Sequence, residues 1–476
     1  MKKITYFLFF IVHIAIAQTL CVNGFAGDYP CKDYDLMSHI SNFALGGAGT
    51  EGNDNWGWTD PETNKEYALM GINKGIVFID ISNPVNPIIL GTLKTRTVNS
   101  SWRDVKVYKS HAFIVSEASN HGMQVFDLKK LRNVTSPPVN FVADTNFTQF
   151  GSAHNIVINE DSGYAYIVGA SRSSTYGGGP IFININNPLN PIEEGGFGQG
   201  GYSHDAQVVT YNGPDTDYAG KEILIGSNEN EVVVADVSNK ANPKIISKIS
   251  YSNVFYAHQG WFTENQKYFI LGDELDEQNL GNNTKTIVFD FTDLDNPKLH
   301  FNYFGPTAAI DHNGYVKDNI YYQANYSAGV RMVDVSAVEN KNFTEVGFFD
   351  TYPNNNNTSF NGAWNVYPYF ASGNIIVSDI DNGFFVIKKS GTLAVNSQKI
   401  KANFSISPNP MVSFTEISFS NNELVKSIKM YTLLGQKVLE KNNINQSSFV
   451  ISKNNLNKGV YIIQINNSIA KKLVIQ

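Results

Sequence analysis

Cysteine is almost missing from this 476-residue chain, which has only Cys21 and Cys31. Two cysteines alone do not complete a tetrahedral metal site, so the pair is either one disulfide or two free thiols. Charge is scarce too. Charged residues make up 17 % of the chain, the net charge is −7, and no basic cluster occurs. That excludes a nucleic-acid-binding surface, which needs concentrated positive charge. Helical periodicity of the i, i+3, i+4 type is nearly absent, so a helical fold is excluded. Beyond the first residues no apolar run is long enough for a membrane helix. Several signatures of chemistry are also missing: no Gly-x-Ser-x-Gly elbow, no phosphate-cradling glycine loop and no paired catalytic carboxylates at a readable spacing.

What the chain has in quantity is aromatic residues (24 Tyr and 31 Phe) and a repeat. Gly75-Ile76-Val77-Phe78-Ile79-Asp80-Ile81-Ser82-Asn83-Pro84 is an apolar run closed by an aspartate and a proline turn. Gly179-Pro180-Ile181-Phe182-Ile183-Asn184-Ile185-Asn186-Asn187-Pro188 is its clearest copy. The closing position falls at Asp80, Asp127, Asn184, Asp236, Asp290, Asp334 and Lys388, a period of 44 to 57 residues. A second marker, Trp56, Trp102, His154, His204, His258, His312 and Trp364, runs in step at spacings of 46, 52, 50, 54, 54 and 52. Each unit reads as four short strands joined by tight turns. The expected fold is therefore all-β: a seven-bladed β-propeller, followed by a small carboxy-terminal β-sandwich. The middle strands are unbroken apolar runs because blades stack face to face and bury both sides of each sheet. The closing aspartates suit Asx turns, a structural role.

The order along the chain is as follows. Met1-Lys2-Lys3, an apolar core from Ile4 to Ile16 and Ala15-Ile16-Ala17 before Gln18 form a secretory signal peptide, residues 1–17, cleaved between Ala17 and Gln18. Export favours a Cys21–Cys31 disulfide, a clip on the segment 18–54. The propeller spans 55–389. Its seventh unit lacks an outer strand downstream, and Leu36 to Phe43 is placed to supply it, closing the ring from both ends of the domain. Residues 390–403 are a polar linker, and 404–476 the last domain.

Two resemblances rest on these motifs. Phe404-Ser405-Ile406-Ser407-Pro408-Asn409-Pro410, Tyr431-Thr432-Leu433-Leu434-Gly435-Gln436, Gly459-Val460-Tyr461 and Lys471-Lys472-Leu473-Val474-Ile475 resemble the carboxy-terminal sorting domain of the Bacteroidetes type IX secretion system. A plain carbohydrate-binding sandwich is the alternative. The resemblance implies secretion or display at the outer-membrane cell surface, with the secretion machinery and its sortase-like protease as partners. The Asp-Ile-Ser-Asn-Pro-x-x-Pro turn is similar to the LVIVD repeat. Cys21 through Cys31 and Asn55-Trp56-Gly57-Trp58-Thr59-Asp60-Pro61 are similar to the choice-of-anchor B family, extracellular propellers with varied surface-attachment tails. That family implies fold and location and brings no activity with it.

Strand order places His154, His204, His258 and His312 together at one end of the channel. The loops on that face hold Glu117, Arg172, Glu229, Asp273, Glu274 and Asp379, with Tyr176, Tyr202 and Tyr326 as exposed aromatics. Two functions follow. The first is a surface or secreted scaffold binding a protein or glycan ligand through the loop face. The alternative is a metal-dependent enzyme, oxidase or hydrolase, in which the four imidazoles hold Cu or Zn. The same histidines could instead bond turn backbone in each blade. Asp379-x-Asp381-Asn382-Gly383 and Asp273-Glu274-x-Asp276-Glu277 are oxygen-rich loops of the kind that takes Ca²⁺.

Overall fold

Alternating β-branched and aromatic residues, punctuated by glycine and asparagine, fold into seven sheets in the computed structural model, each built on four antiparallel strands and two of them extended to five and six, with a separate pair of sheets at the carboxy-terminal end. The structure describes residues 18–391, 404–419, 424–432, 437–454, 456–466 and 469–476. The expected signal peptide with Ala17, the linker from 392 to 403 and the turn at 433–436 lie outside the described residues.

The third blade shows the plan. Asn155–Asn159, Tyr164–Val168, Ile181–Asn184 and Ile192–Gly196 pair in sequence order from the inside out. Six closing residues make the same turn. The side-chain oxygen of Asp80, Asp127, Asn184, Asp236, Asp290 and Asp334 accepts the backbone N–H two residues on, at 2.8–3.0 Å. These groups therefore shape turns and line no site.

The ring is visible in its core. Seven apolar clusters each bridge one pair of adjacent blades, from the first-to-second interface around Phe78 and Phe126 to the seventh-to-first around Val386 and Val77. Middle strands such as Gly75–Asp80 are buried along their whole length, as face-to-face stacking requires.

Closure comes from the amino-terminal side. Tyr34–Ile40 pairs antiparallel with Gly383–Lys389 and becomes the outer strand of blade seven. The strand is shorter at its carboxy end than Leu36 to Phe43, because Ser41 caps a one-turn helix, Asn42–Gly46. The first inner strand, Gly52–Thr59, starts ahead of residue 55. Cys21 and Cys31 are joined in a disulfide. They clip a hairpin, Phe25–Ala26 and Tyr29–Lys32, that extends blade six through Cys31 and Phe349. A further short strand, Val139–Phe141, runs parallel to Ile88–Lys94 on the outside of blade one. Two outer edges are thus covered.

The carboxy-terminal unit is a small two-sheet β domain. One sheet orders Phe404–Ser407, Phe414–Phe419 and Ser448–Ser452, and the other orders Lys437–Lys441, Ile428–Thr432, Gly459–Ile465 and Ile469–Ile475. Met411, Ile417, Ile428, Ile463 and Leu473 fill the space between them.

Glycine is needed where the closing strand passes. At Gly383, φ is +100° and a β-carbon would lie 2.5 Å from the Ile40 carbonyl oxygen. At Gly373, φ is +79° but the nearest atom would be Lys388 Cε at 3.7 Å. Gly373→Ala should cost about 1–2 kcal/mol from backbone strain alone. Gly383→Ala should cost at least about 1–3 kcal/mol more, since the closing strand must move. Chemical denaturation of both variants measures the difference, and equal losses would show that closure is slack at Ile40.

Candidate functional site

In each blade the inner strand starts at the same mouth of the channel. The backbone N–H groups of His154, His204 and His312 donate to Gly169, Ser227 and Ala324 at 2.9–3.2 Å, the ends of their second strands. This sends four imidazoles into the channel side by side. Ring centroids are 4.5 Å apart for His154–His204, and 4.4 Å for both His204–His258 and His258–His312; Trp364 follows His312 at 4.7 Å.

One marker is out of register. Trp56 does not occupy the mouth. An irregularity between Gly52 and Asn55 shifts its strand, and Trp56 packs on Tyr315 and Tyr367, further along the channel. Gly52 takes its place at the mouth. From Gly52 to Trp102 is 102 − 52 = 50 residues, in line with the other spacings.

The nitrogens are sorted by what they meet. Nδ1 of His154 lies 2.6 Å from Glu117 Oε1. Nδ1 of His204 donates to the His258 carbonyl at 3.1 Å, and Nδ1 of His312 to the Trp364 carbonyl at 2.6 Å. Nδ1 of His258 is buried without a partner among the described residues. Glu274, carried just past the second strand of blade five, lies 3.7 Å by Oε2 from His258 Nε2 and 3.6 Å by Oε1 from His312 Nε2. Its Oε1 also accepts the Tyr326 hydroxyl at 2.7 Å. Above these groups is a cavity of about 520 Å³, walled by Trp102, Tyr202, Tyr256, Phe360 and Trp364, with Glu51, Glu117 and Glu274 as its acids.

Of the six loop-face candidates, Glu117 and Glu274 line this cavity. Arg172 and Glu229 pair with each other at 2.7 and 2.8 Å, and the guanidinium lies 3.9 Å from the Tyr202 ring, just outside the cavity. Asp273 and Asp379 are not surface groups; both are wholly buried. Asp273 accepts the Tyr251 hydroxyl and the N–H groups of Phe255 and Tyr256, which anchors the loop carrying Tyr256. Asp379 accepts the N–H groups of Asp381 and Asn382 and shapes the turn before Gly383. The two acidic loops do not form calcium cages either. Asp276 pairs with Lys285 at 2.7 Å, Glu277 accepts the Lys285 N–H, and among the described residues neither loop gathers three metal donors. Tyr326 is buried, and Tyr176 packs against Gly196 away from the mouth. Tyr256 and Phe360 carry no repeat signature and were not readable from the sequence.

Below the mouth, polar side chains tie blade to blade. Asp104 accepts from Ile156 N–H at 2.8 Å, Gln259 exchanges two bonds with Gly314, and Asn365 and Asn55 bond each other's carbonyls. These bonds are why the openers hold a common level.

Burial, helped by the neighbouring imidazoles, pushes His258 and His312 down to about 3 and His204 well below its ordinary value. Burial lowers His154 as well, but Glu117 outweighs it and the net direction is up. An unfolded histidine takes its proton near pH 6.5. The three depressed imidazoles therefore destabilise the fold as pH drops below that value, by up to about 1.4 kcal/mol per pH unit each. His154 works the other way: its stabilisation is present below pH 6.5 and lost as pH rises through its folded value. Buried carboxyls such as Asp205 and Asp379, raised to about 7 by burial, also oppose the trend. Comparing His258→Gln with the parent in chelator cancels those terms. The variant should lose less stability between pH 7 and 5, by about 2 kcal/mol. Parallel pH curves would mean that His258 is protonated in the folded protein.

The comparisons with known proteins add location. A protein from Lactobacillus plantarum aligns over 85 % of this chain and 98 % of its own, at 10 % identity and a TM-score of 0.41. A candidate 6-phosphogluconolactonase from Bacteroides uniformis aligns over 61 % of this chain and 87 % of its own, at 14 % identity and a TM-score of 0.45. The C-terminal WD40 domain of Sif2 covers 72 % and 82 %, at 10 % identity and a TM-score of 0.44. No curated protein matches the sequence. Residues 405–476 match the secretion system C-terminal sorting domain. This chain is thus built for type IX export and works outside the cell or on its surface.

Proposed function

We propose that this exported propeller is a binding protein that captures a glycan in its histidine-lined mouth. The observation that carries this reading is the aromatic wall of the 520 Å³ cavity. Trp102 is 47 % exposed and Phe360 43 %, although both side chains would gain by burial. Tyr202 and Tyr256 stand half-buried beside them. Aromatic faces at a cavity mouth, with carboxylates between them, suit a sugar ring: its C–H face packs on the rings while its hydroxyls donate to Glu51 and Glu117. A cavity of this size, walled by both aromatic and polar side chains, lies in the range used for small ligands. The recurrent Asx turns support placing the propeller with the LVIVD-repeat, choice-of-anchor B type, with the sorting domain removed by a sortase-like protease on export.

Titrating the exported chain with a panel of neutral oligosaccharides by calorimetry tests the reading. Trp102→Ala and Phe360→Ala should each weaken binding about tenfold or more, equivalent to about 1.4 kcal/mol, with melting temperatures almost unchanged because neither ring is in the core. Full affinity in both variants would place the ligand elsewhere, and binding only to a protein would make the mouth a peptide site.

A further inference from the structure

His258, Glu274 and His312 each present one donor atom, and the three atoms lie within 4.8 Å of one another. Glu274 faces His258 Nε2 at 3.7 Å and His312 Nε2 at 3.6 Å. Both distances are too long for hydrogen bonds. The Trp364 carbonyl can only accept, so the 2.6 Å contact puts the His312 proton on Nδ1. Nε2 of His312 then carries a lone pair aimed at a carboxylate oxygen. Two acceptors facing each other in a buried pocket repel unless a cation stands between them. Donors bound at about 2.1 Å to one tetrahedral ion are about 3.4 Å apart, close to the two separations seen here.

We infer that His258, Glu274 and His312 form a binding site for one divalent transition-metal ion, zinc foremost. Two imidazoles and one carboxylate are a donor set that zinc uses where a coordination position stays open. Nitrogen donors disfavour Ca²⁺ and Mg²⁺. Tyr326, donating to Glu274 Oε1 at 2.7 Å, orients the carboxylate from outside the coordination sphere, as such partners commonly do. His258 and His312 are each only 2 % exposed, and the unpartnered Nδ1 of His258 marks a ring whose position no hydrogen bond fixes. The open side of the ion faces the 520 Å³ cavity, within reach of whatever ligand enters it. The site goes beyond the glycan reading and does not depend on it.

Zinc alone is the probe. The exported chain, stripped with chelator and then titrated with Zn²⁺, should bind about one ion per chain at this site, with a melting temperature that rises with zinc. Glu274→Gln keeps the side chain's size and should weaken that binding by about 100-fold or more, while matching the parent's melting temperature in chelator. Asp293→Asn reports on the other acidic group, Asp215, Asp293 and Asp295, which lies near the surface, and should leave binding unchanged. If Glu274→Gln does not fold, His312→Asn takes its place. Co²⁺ absorption in the parent protein gives a readout independent of either variant: intense visible bands are expected from a low-coordinate nitrogen and oxygen site. Zinc binding equal in parent and variant, no zinc-dependent shift, or only weak six-coordinate cobalt bands would each overturn the assignment.

Discussion

The mouth of this propeller depends on one pairing, Tyr34–Ile40 against Gly383–Lys389. A ring of stacked sheets has a free edge unless its two ends are joined, and here hydrogen bonds close it between residues more than three hundred positions apart. With the ring shut, every inner strand begins at the same level. Four successive blades then deliver an imidazole each, and neighbouring rings sit with centroids 4.4–4.5 Å apart, tilted by 41–44° to one another. No local sequence preference brings these side chains together. Closure does.

The two levels of the channel do different work. Beneath the openers, Asp104, Gln259 and Asn365 spend their polar atoms on the backbone of the next blade. At the mouth, Glu274 meets two imidazoles at more than hydrogen-bond distance. Buried polar groups are normally satisfied, so a carboxylate set between two imidazole nitrogens and bonded to neither points to a ligand. Asp273 supports the site indirectly, since its hydrogen bonds to the loop fix Tyr256 and the neighbouring Glu274.

Much of this was legible in the residues. The repeat gave its blades away because each closing Asp or Asn must bond the N–H two residues later, and that chemistry needs a fixed residue type at a fixed place. The histidine arc was legible for the same reason. Trp56 was not, because the irregularity between Gly52 and Asn55 displaces it along the strand and the sequence carries no sign of that shift. Asp273 and Glu274 show the limit most sharply. Neighbours on an extended chain point to opposite sides, so one is wholly buried and the other faces the cavity, yet as letters they are interchangeable. The hairpin added to blade six was also hidden, since nothing in Phe25–Ala26 or Tyr29–Lys32 names a partner strand near Phe349.

The most direct test of whether the histidine arc is a site or only packing is a crystal of the zinc-treated chain measured on both sides of the zinc absorption edge. A single anomalous peak between His258, Glu274 and His312, with its free side toward the cavity, is the predicted result. A mouth without a peak, or a peak only beside Asp215, Asp293 and Asp295, would show that the imidazoles serve the fold alone.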